Sequence, residues 1–158
     1  MVWTVNIKEK LMIQYQHALY AIELSAEQVP AIKKTIDSLK FRNTKVTLIH
    51  IIHPASLIYA DASYISPDLY GVQDNLETNI INEAKNEMAK LCEECGLTKE
   101  QGIVEVGRPD VSILDKADTL KVDAIIVNGH KHNIFGRLGS TADSIINKST
   151  CDVIVLKK

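Results

Sequence analysis

The chain contains no unbroken run of about 18 apolar residues, so nothing in it reads as a membrane-spanning helix. Nor does it carry a basic excess. Its 18 Lys plus Arg stand against 20 Asp plus Glu, for a net charge of −2, and this argues against a protein built around the nucleic-acid backbone. Low-complexity segments and internal repeats are absent. No secretory leader is expected, since Lys8, Glu9 and Lys10 interrupt the mildly apolar start before a hydrophobic region can form. A cytoplasmic setting is therefore expected, with Cys92, Cys95 and Cys151 reduced. Cys92 and Cys95 make a C-x-x-C, but no second Cys or His pair lies at zinc-finger spacing. The pair closes a helical pattern and reads as two small apolar side chains. Catalytic signatures are missing too: there is no G-x-x-x-x-G-K-[ST], no G-x-S-x-G and no G-x-G-x-x-G. A receiver domain would need clustered aspartates at strand ends, and only Glu23 is available. No nucleophile has a base beside it, so binding or regulation is favoured over catalysis.

What the chain does have is a globular composition, 46% hydrophobic and 24% charged over 158 residues, which suits one domain. Hydrophobic periodicity alternates between short apolar runs and helical repeats. Residues 17–22, 46–52, 102–106, 123–127 and 153–156 read as five strands, the first two as buried on both faces. Between them, Val29, Ile32, Ile36 and Leu39 repeat at helical spacing behind a Ser25-Ala-Glu-Gln28 capping box, with Pro30 awkwardly placed for that cap. A second helix is expected over residues 76–95, stopped by Gly96, and Gly107-Arg-Pro-Asp110 opens a third, with Pro109 near its first turn. The last begins at Ser140, read as the cap with Asp143 in the third position. Residues 54–74 form a long irregular connection.

Strands alternating with helices imply parallel pairing and right-handed crossovers, hence a three-layer α/β sandwich. A fourth strand beside the first makes a five-stranded parallel sheet of order 3-2-1-4-5. Such sheets bind ligands at the carboxyl ends of the strands, where the winding reverses. That crevice would be lined by residues 21–25 and 128–141. Glycines there admit a phosphate, the Gly139-Ser140 helix start offers unpaired N–H groups, and Lys131 and Arg137 add charge. Glu23 would accept from sugar hydroxyls. His50 reads as a core histidine, and His130-Lys-His132 as a solvated loop with no metal role.

Residues 15–157 resemble the universal stress protein family. Tyr15-Gln-His-Ala-Leu-Tyr-Ala-Ile-Glu-Leu-Ser25 is similar to the family's first strand and V-D-x-S turn. Thr44-Lys-Val-Thr-Leu-Ile-His-Ile51 resembles the second strand with its L-x-H-V ending. Val122-Asp-Ala-Ile-Ile-Val-Asn-Gly-His130 is similar to the D-(L/V)-(I/V)-V-x-G-x-H segment, and residues 140–156 resemble the closing helix and strand. The resemblance implies a Rossmann-like, adenine nucleotide alpha hydrolase-like fold. ATP-binding members carry G-x2-G-x9-G-(S/T). Here Gly129 is followed by His132 where the second glycine belongs, and Gly139-Ser140 arrives after six intervening residues. That shortened loop resembles the UspA-type branch. Glu23 stands where the usual Asp would, its carboxylate about 1.5 Å further into the pocket.

The resemblance implies a non-catalytic cytoplasmic stress-response dimer acting through protein association or signalling, with a degenerate nucleotide site and no required cofactor. The alternative is an ATP- or AMP-binding switch with at most slow ATP hydrolysis. In either case the family mapping places adenine against Ala21, Glu23 and Ile51, beside Asn128. Phosphates would lie over Gly129, His132, Gly139, Ser140 and Thr141. Residues 153–156 are expected to pair across a two-fold axis as a homodimer, which hides an apolar sheet edge. Protein partners are implied; nucleic acid and membrane are not. Residues 1–14 read as an N-terminal extension to a domain spanning 15–158, with 1–11 having no counterpart in the family pattern and no reason to pack.

Overall fold

A computed structural model describes residues 14–54, 73–129 and 139–157. The expected N-terminal extension, the connection after residue 54 and the His130–His132 loop lie largely or wholly outside those residues. In chain order the elements are β1 (His17–Ala21), α1 (Val29–Phe41), β2 (Lys45–Ile52), α2 (Gln73–Glu94), β3 (Gly102–Val106), α3 (Pro109–Leu120), β4 (Ala124–Gly129), α4 (Ser140–Lys148) and β5 (Asp152–Lys157). The five strands are parallel and run β3-β2-β1-β4-β5, the order expected from the alternation.

Strand periodicity divides the core into two layers. Ala18 and Tyr20 of β1, Val46 and Leu48 of β2, and Ala124 and Ile126 of β4 face α1 and α2, meeting Ile32, Ile36, Met88, Leu91, Cys92 and Cys95. Leu19, Ile49, Ile125 and Val127 point the other way, against Ile113 and Ala117 of α3 and Ala142 and Ile145 of α4. The near-continuous apolar runs of the central strands follow from this, because neither face meets water. Cys92 and Cys95 fill core space, and burial pushes both thiols above their ordinary range.

Two helix starts differ from expectation. Ser25 does not cap α1: the helix begins at Val29 with Pro30 in its first turn, and the Ser25 carbonyl accepts the Gln28 N–H at 3.0 Å. Proline lacks an N–H, so it fits only where that donor would be unpaired anyway, and this sets the start. Ser140 is not the cap of α4 either. Gly139 holds that place, its carbonyl accepting from the Asp143 N–H at 3.0 Å, so Ser140 is the first helical residue and Asp143 the fourth.

The stop of α2 is as expected. Gly96 takes φ +62°, its N–H bonds to the Glu93 carbonyl at 3.0 Å, and the Leu97 N–H reaches the Cys92 carbonyl at 2.8 Å. Lys40 of α1 adds a cation there, donating from Nζ to the carbonyls of Cys95 at 2.5 Å and Gly96 at 2.9 Å. Lys40→Met is expected to cost about 0.5–1 kcal/mol, a fall of roughly 2 °C in Tm in a thermal melt, with Lys40→Arg keeping part of it. A Tm equal to that of the unaltered protein would show that the lysine does not hold this helix end.

Candidate functional site

The winding reversal between β1 and β4 opens a pocket of about 330 Å³ at the carboxyl ends of the strands. Ala21, Ile22 and Glu23 reach it as the chain leaves β1, His50 and Ile51 from the end of β2, and Val127 and Asn128 from β4. The first turn of α4 closes one side with Gly139, Ser140, Thr141 and Ala142, and α3 supplies Pro109 and Ile113. The volume lies at the lower end of the range for small-molecule sites, about 300–1,000 Å³. Ile51, Ile113, Val127 and Ala142 give it an apolar floor, while Glu23, Asn128 and the start of α4 give it polar walls.

Each wall has a local cause. The first N–H groups of α4 have no intrahelical acceptor, and Gly139 in the cap position has no side chain to take them. These donors and the positive end of the helix dipole therefore meet the pocket at a cap residue that brings no side-chain oxygen of its own. The starts of α3 and α4 are held together by Ser144, whose hydroxyl donates to Asp110 Oδ2 at 3.0 Å. That bond, with Arg108 beside it, holds the Asp110 carboxyl below its usual range.

Of the residues the sequence singles out, Ala21, Glu23, Ile51, Asn128, Gly139, Ser140 and Thr141 line this one pocket. Gly129 is the last residue of β4, in register with Lys157, and is not among the lining residues. His132, Lys131 and Arg137 lie outside the described residues. Among the described lining residues there is no Lys or Arg, and the start of α4 contributes the positive end of its dipole.

His50 is a correction. It is half-buried and lines the pocket instead of sitting in the core. Its Nδ1 lies 3.0 Å from the Ile22 carbonyl, which only accepts, so Nδ1 carries the proton and Nε2 of the neutral ring is an acceptor. Its place at the carboxyl end of β2 was the available signal. Gln28 left none: it is 7% exposed, and its Nε2 donates to Glu23 Oε2 at 2.6 Å. Among the described residues no three His, Cys, Asp or Glu side chains converge as a metal site requires, and no helix is long and apolar enough to cross a membrane.

The profile of the Universal stress protein family matches residues 14–157. Universal stress protein A homolog 1 of Coxiella burnetii is 27% identical over 145 residues, covering 91% of this chain and 97% of that one. Among solved structures, the universal stress protein UspA from Lactobacillus plantarum superposes with a TM-score of 0.65 at 21% identity, over 90% of this chain and 98% of its own. A universal stress protein in complex with cAMP superposes with a TM-score of 0.55 at 22% identity, over 91% and 98%. These last two likenesses concern the fold, which is the five-stranded α/β arrangement described above. With a family match that runs through all five strands and the residues of the pocket, the chain belongs to the universal stress protein family.

Proposed function

We propose that this protein is a non-catalytic regulatory module of a stress response, acting in the cytoplasm as a homodimer, and that its pocket takes an adenine nucleotide as a signal. The observation that carries the reading is the meeting, in one pocket, of an apolar floor and the uncapped start of α4 from distant parts of the chain. An apolar floor suits a base, and a helix start suits a phosphate. The cAMP complex of a structural neighbour supports the same ligand class. For turnover the pocket is poorly equipped: the Ser140 hydroxyl is presented from a helix start with no described base bonded to it. The dimer reading rests on β5, an apolar strand whose outer edge no strand pairs among the described residues.

Isothermal titration with AMP, cAMP and magnesium ATP tests the ligand. Saturable binding with Kd below about 1 mM is expected for at least one of them. Thr141→Trp, which fills the pocket from its rim, should weaken that binding about tenfold or more while leaving the melt unchanged. ATP should release no phosphate above the rate without protein. If none of the three nucleotides binds, the signal reading is wrong and protein association alone remains. Sedimentation at twice the 17.6 kDa chain mass is the expected result for assembly, and a monomer at tens of micromolar would overturn it.

A further inference from the structure

The mouth of the pocket carries a hydrogen-bonded chain whose direction is set by one carboxylate. Glu23 only accepts, so Gln28 turns its Nε2 toward Oε2, at 2.6 Å. Gln28 Oε1 then faces the other way and accepts from Asn128 Nδ2 at 3.4 Å. That orientation leaves Asn128 Oδ1 to accept from the Tyr20 hydroxyl at 3.2 Å. Glu23 follows β1 and Asn128 belongs to β4, so the chain bridges the two strands between which the winding reverses. Glu23 and Asn128 line the pocket, whereas Gln28 does not. Gln28 occupies the N-cap position of α1 yet caps nothing with its side chain. Its own N–H and carbonyl are both engaged, with Ser25 and Ile32 at 3.0 Å, so the side chain is anchored where it bridges.

We infer that Gln28 is a positioning residue for the pocket: it clamps Glu23 and Asn128 into one polar edge that meets the sugar hydroxyls of the bound nucleotide. The inference rests on the reading that the pocket takes a nucleotide. A carboxylate has about four lone-pair sites, so accepting from Gln28 still leaves Glu23 able to receive hydroxyls. Glu23 is itself exposed at a strand exit, where each hydrogen bond to its carboxylate narrows the rotamers it samples and lessens the affinity lost in ordering.

Gln28→Glu tests this with almost no change in shape. It sets a second carboxyl within hydrogen-bond reach of Glu23, and two such groups share one proton, which raises the apparent pKa of the pair. Once protonated, the pair restores a donor facing Glu23. His50 across the pocket and Glu87, Lys90 and Glu94 of α2 on the other flank also surround Glu23, but they are common to both proteins. The ratio of variant to unaltered affinity therefore isolates the new pair. With AMP as the probe, the variant is expected to bind about tenfold more weakly near pH 8 and within about threefold near pH 5.5. The exchange Glu23→Gln with Gln28→Glu should recover the Tm of the unaltered protein, since an amide again faces a carboxylate, but not the affinity, because the carboxylate has left the pocket. A ratio near one at pH 8, a ratio that does not move with pH, or an exchange variant that regains affinity would each overturn the inference. Failure of the unaltered protein to bind AMP would remove the nucleotide reading and this inference with it. Binding by the unaltered protein with an unmoved ratio would remove the inference alone.

Discussion

Gly102→Val is expected to lower Tm by roughly 6–12 °C, the result of about 3 kcal/mol of overpacking between β3 and α2. A Cβ at this position would lie 2.6 Å from Met88 Cγ and 2.7 Å from Cys92 Sγ, both closer than real side chains approach. Met88 is 2% exposed and Cys92 fully buried, so neither has solvent to retreat into. The Cys92 sulfur could leave only by a χ1 change into space the core already fills. Valine's preference for strands, worth about 1 kcal/mol at most, works the other way and is too small to compensate. Gly102→Ala should show a smaller loss. Adding Cys92→Ala to that variant should return part of it, because the two changes share one contact. A Gly102→Val protein that melts with the unaltered one would mean that α2 does not press on the start of β3.

Asp123→Ala is expected to cost about 2 kcal/mol, or roughly 4–8 °C in Tm. Asp123 precedes β4 and ties it to the start of β1: Oδ2 accepts the Gln16 N–H at 2.7 Å and Oδ1 the His17 N–H at 2.9 Å, while its own N–H donates to the His17 carbonyl at 3.1 Å. Alanine removes the two charge-assisted bonds and leaves the third. Desolvation works to raise the Asp123 carboxyl, but the two backbone N–H groups outweigh it and hold the group below its ordinary 3.8. A depressed carboxyl contributes stability that is complete above its unfolded pKa and disappears as pH falls through the folded value. The acid limb of the Tm-against-pH curve below about pH 4 should therefore flatten in Asp123→Ala. His17 gives a separate limb. Burial, helped by Lys45, pushes its imidazole below 6.5 while the Asp123 charge opposes the shift, so stability falls on acidification from that value, and this limb should persist and deepen in the variant. An unchanged acid limb would show that the tie does not form in solution.

The strand order was legible because residues 17–22 and 46–52 are nearly continuous apolar runs alternating with helical repeats, and such runs are stable only when covered on both faces. Gly96 was legible for a different reason: the left-handed turn after a long helical repeat is a position that glycine takes at least cost. Two helix starts were not legible, whereas Pro109 marked the start of α3. Ser25 and Ser140 both stand where a cap is expected, yet Pro30 and the Gly139 carbonyl set the starts, and capping preference is worth too little to prevail over them. His50 was misread because strand periodicity says which face a residue points to, not where along the strand that face opens into a pocket. Gln28 left no pattern at all, since its contact with Asn128 spans 100 residues of sequence.

The position of β1 at the middle of the sheet has a consequence for how the chain is made. Its register with β2 places Ala18 beside Val46, a nearby partner, but its other register places Ala18 beside Ala124. The Asp123 tie that seals that second edge closes a separation of 106 residues. During synthesis from the N-terminus, β1 therefore emerges first and acquires its second neighbour only after most of the polypeptide has followed. Until then one flank of the central strand offers unpaired backbone to any passing edge. Long-range parallel pairing of this kind is slow, because loop closure must come before the contacts that reward it. Nascent chains stalled before residue 124 should be the ones that chaperones hold and that aggregate when chaperones are scarce.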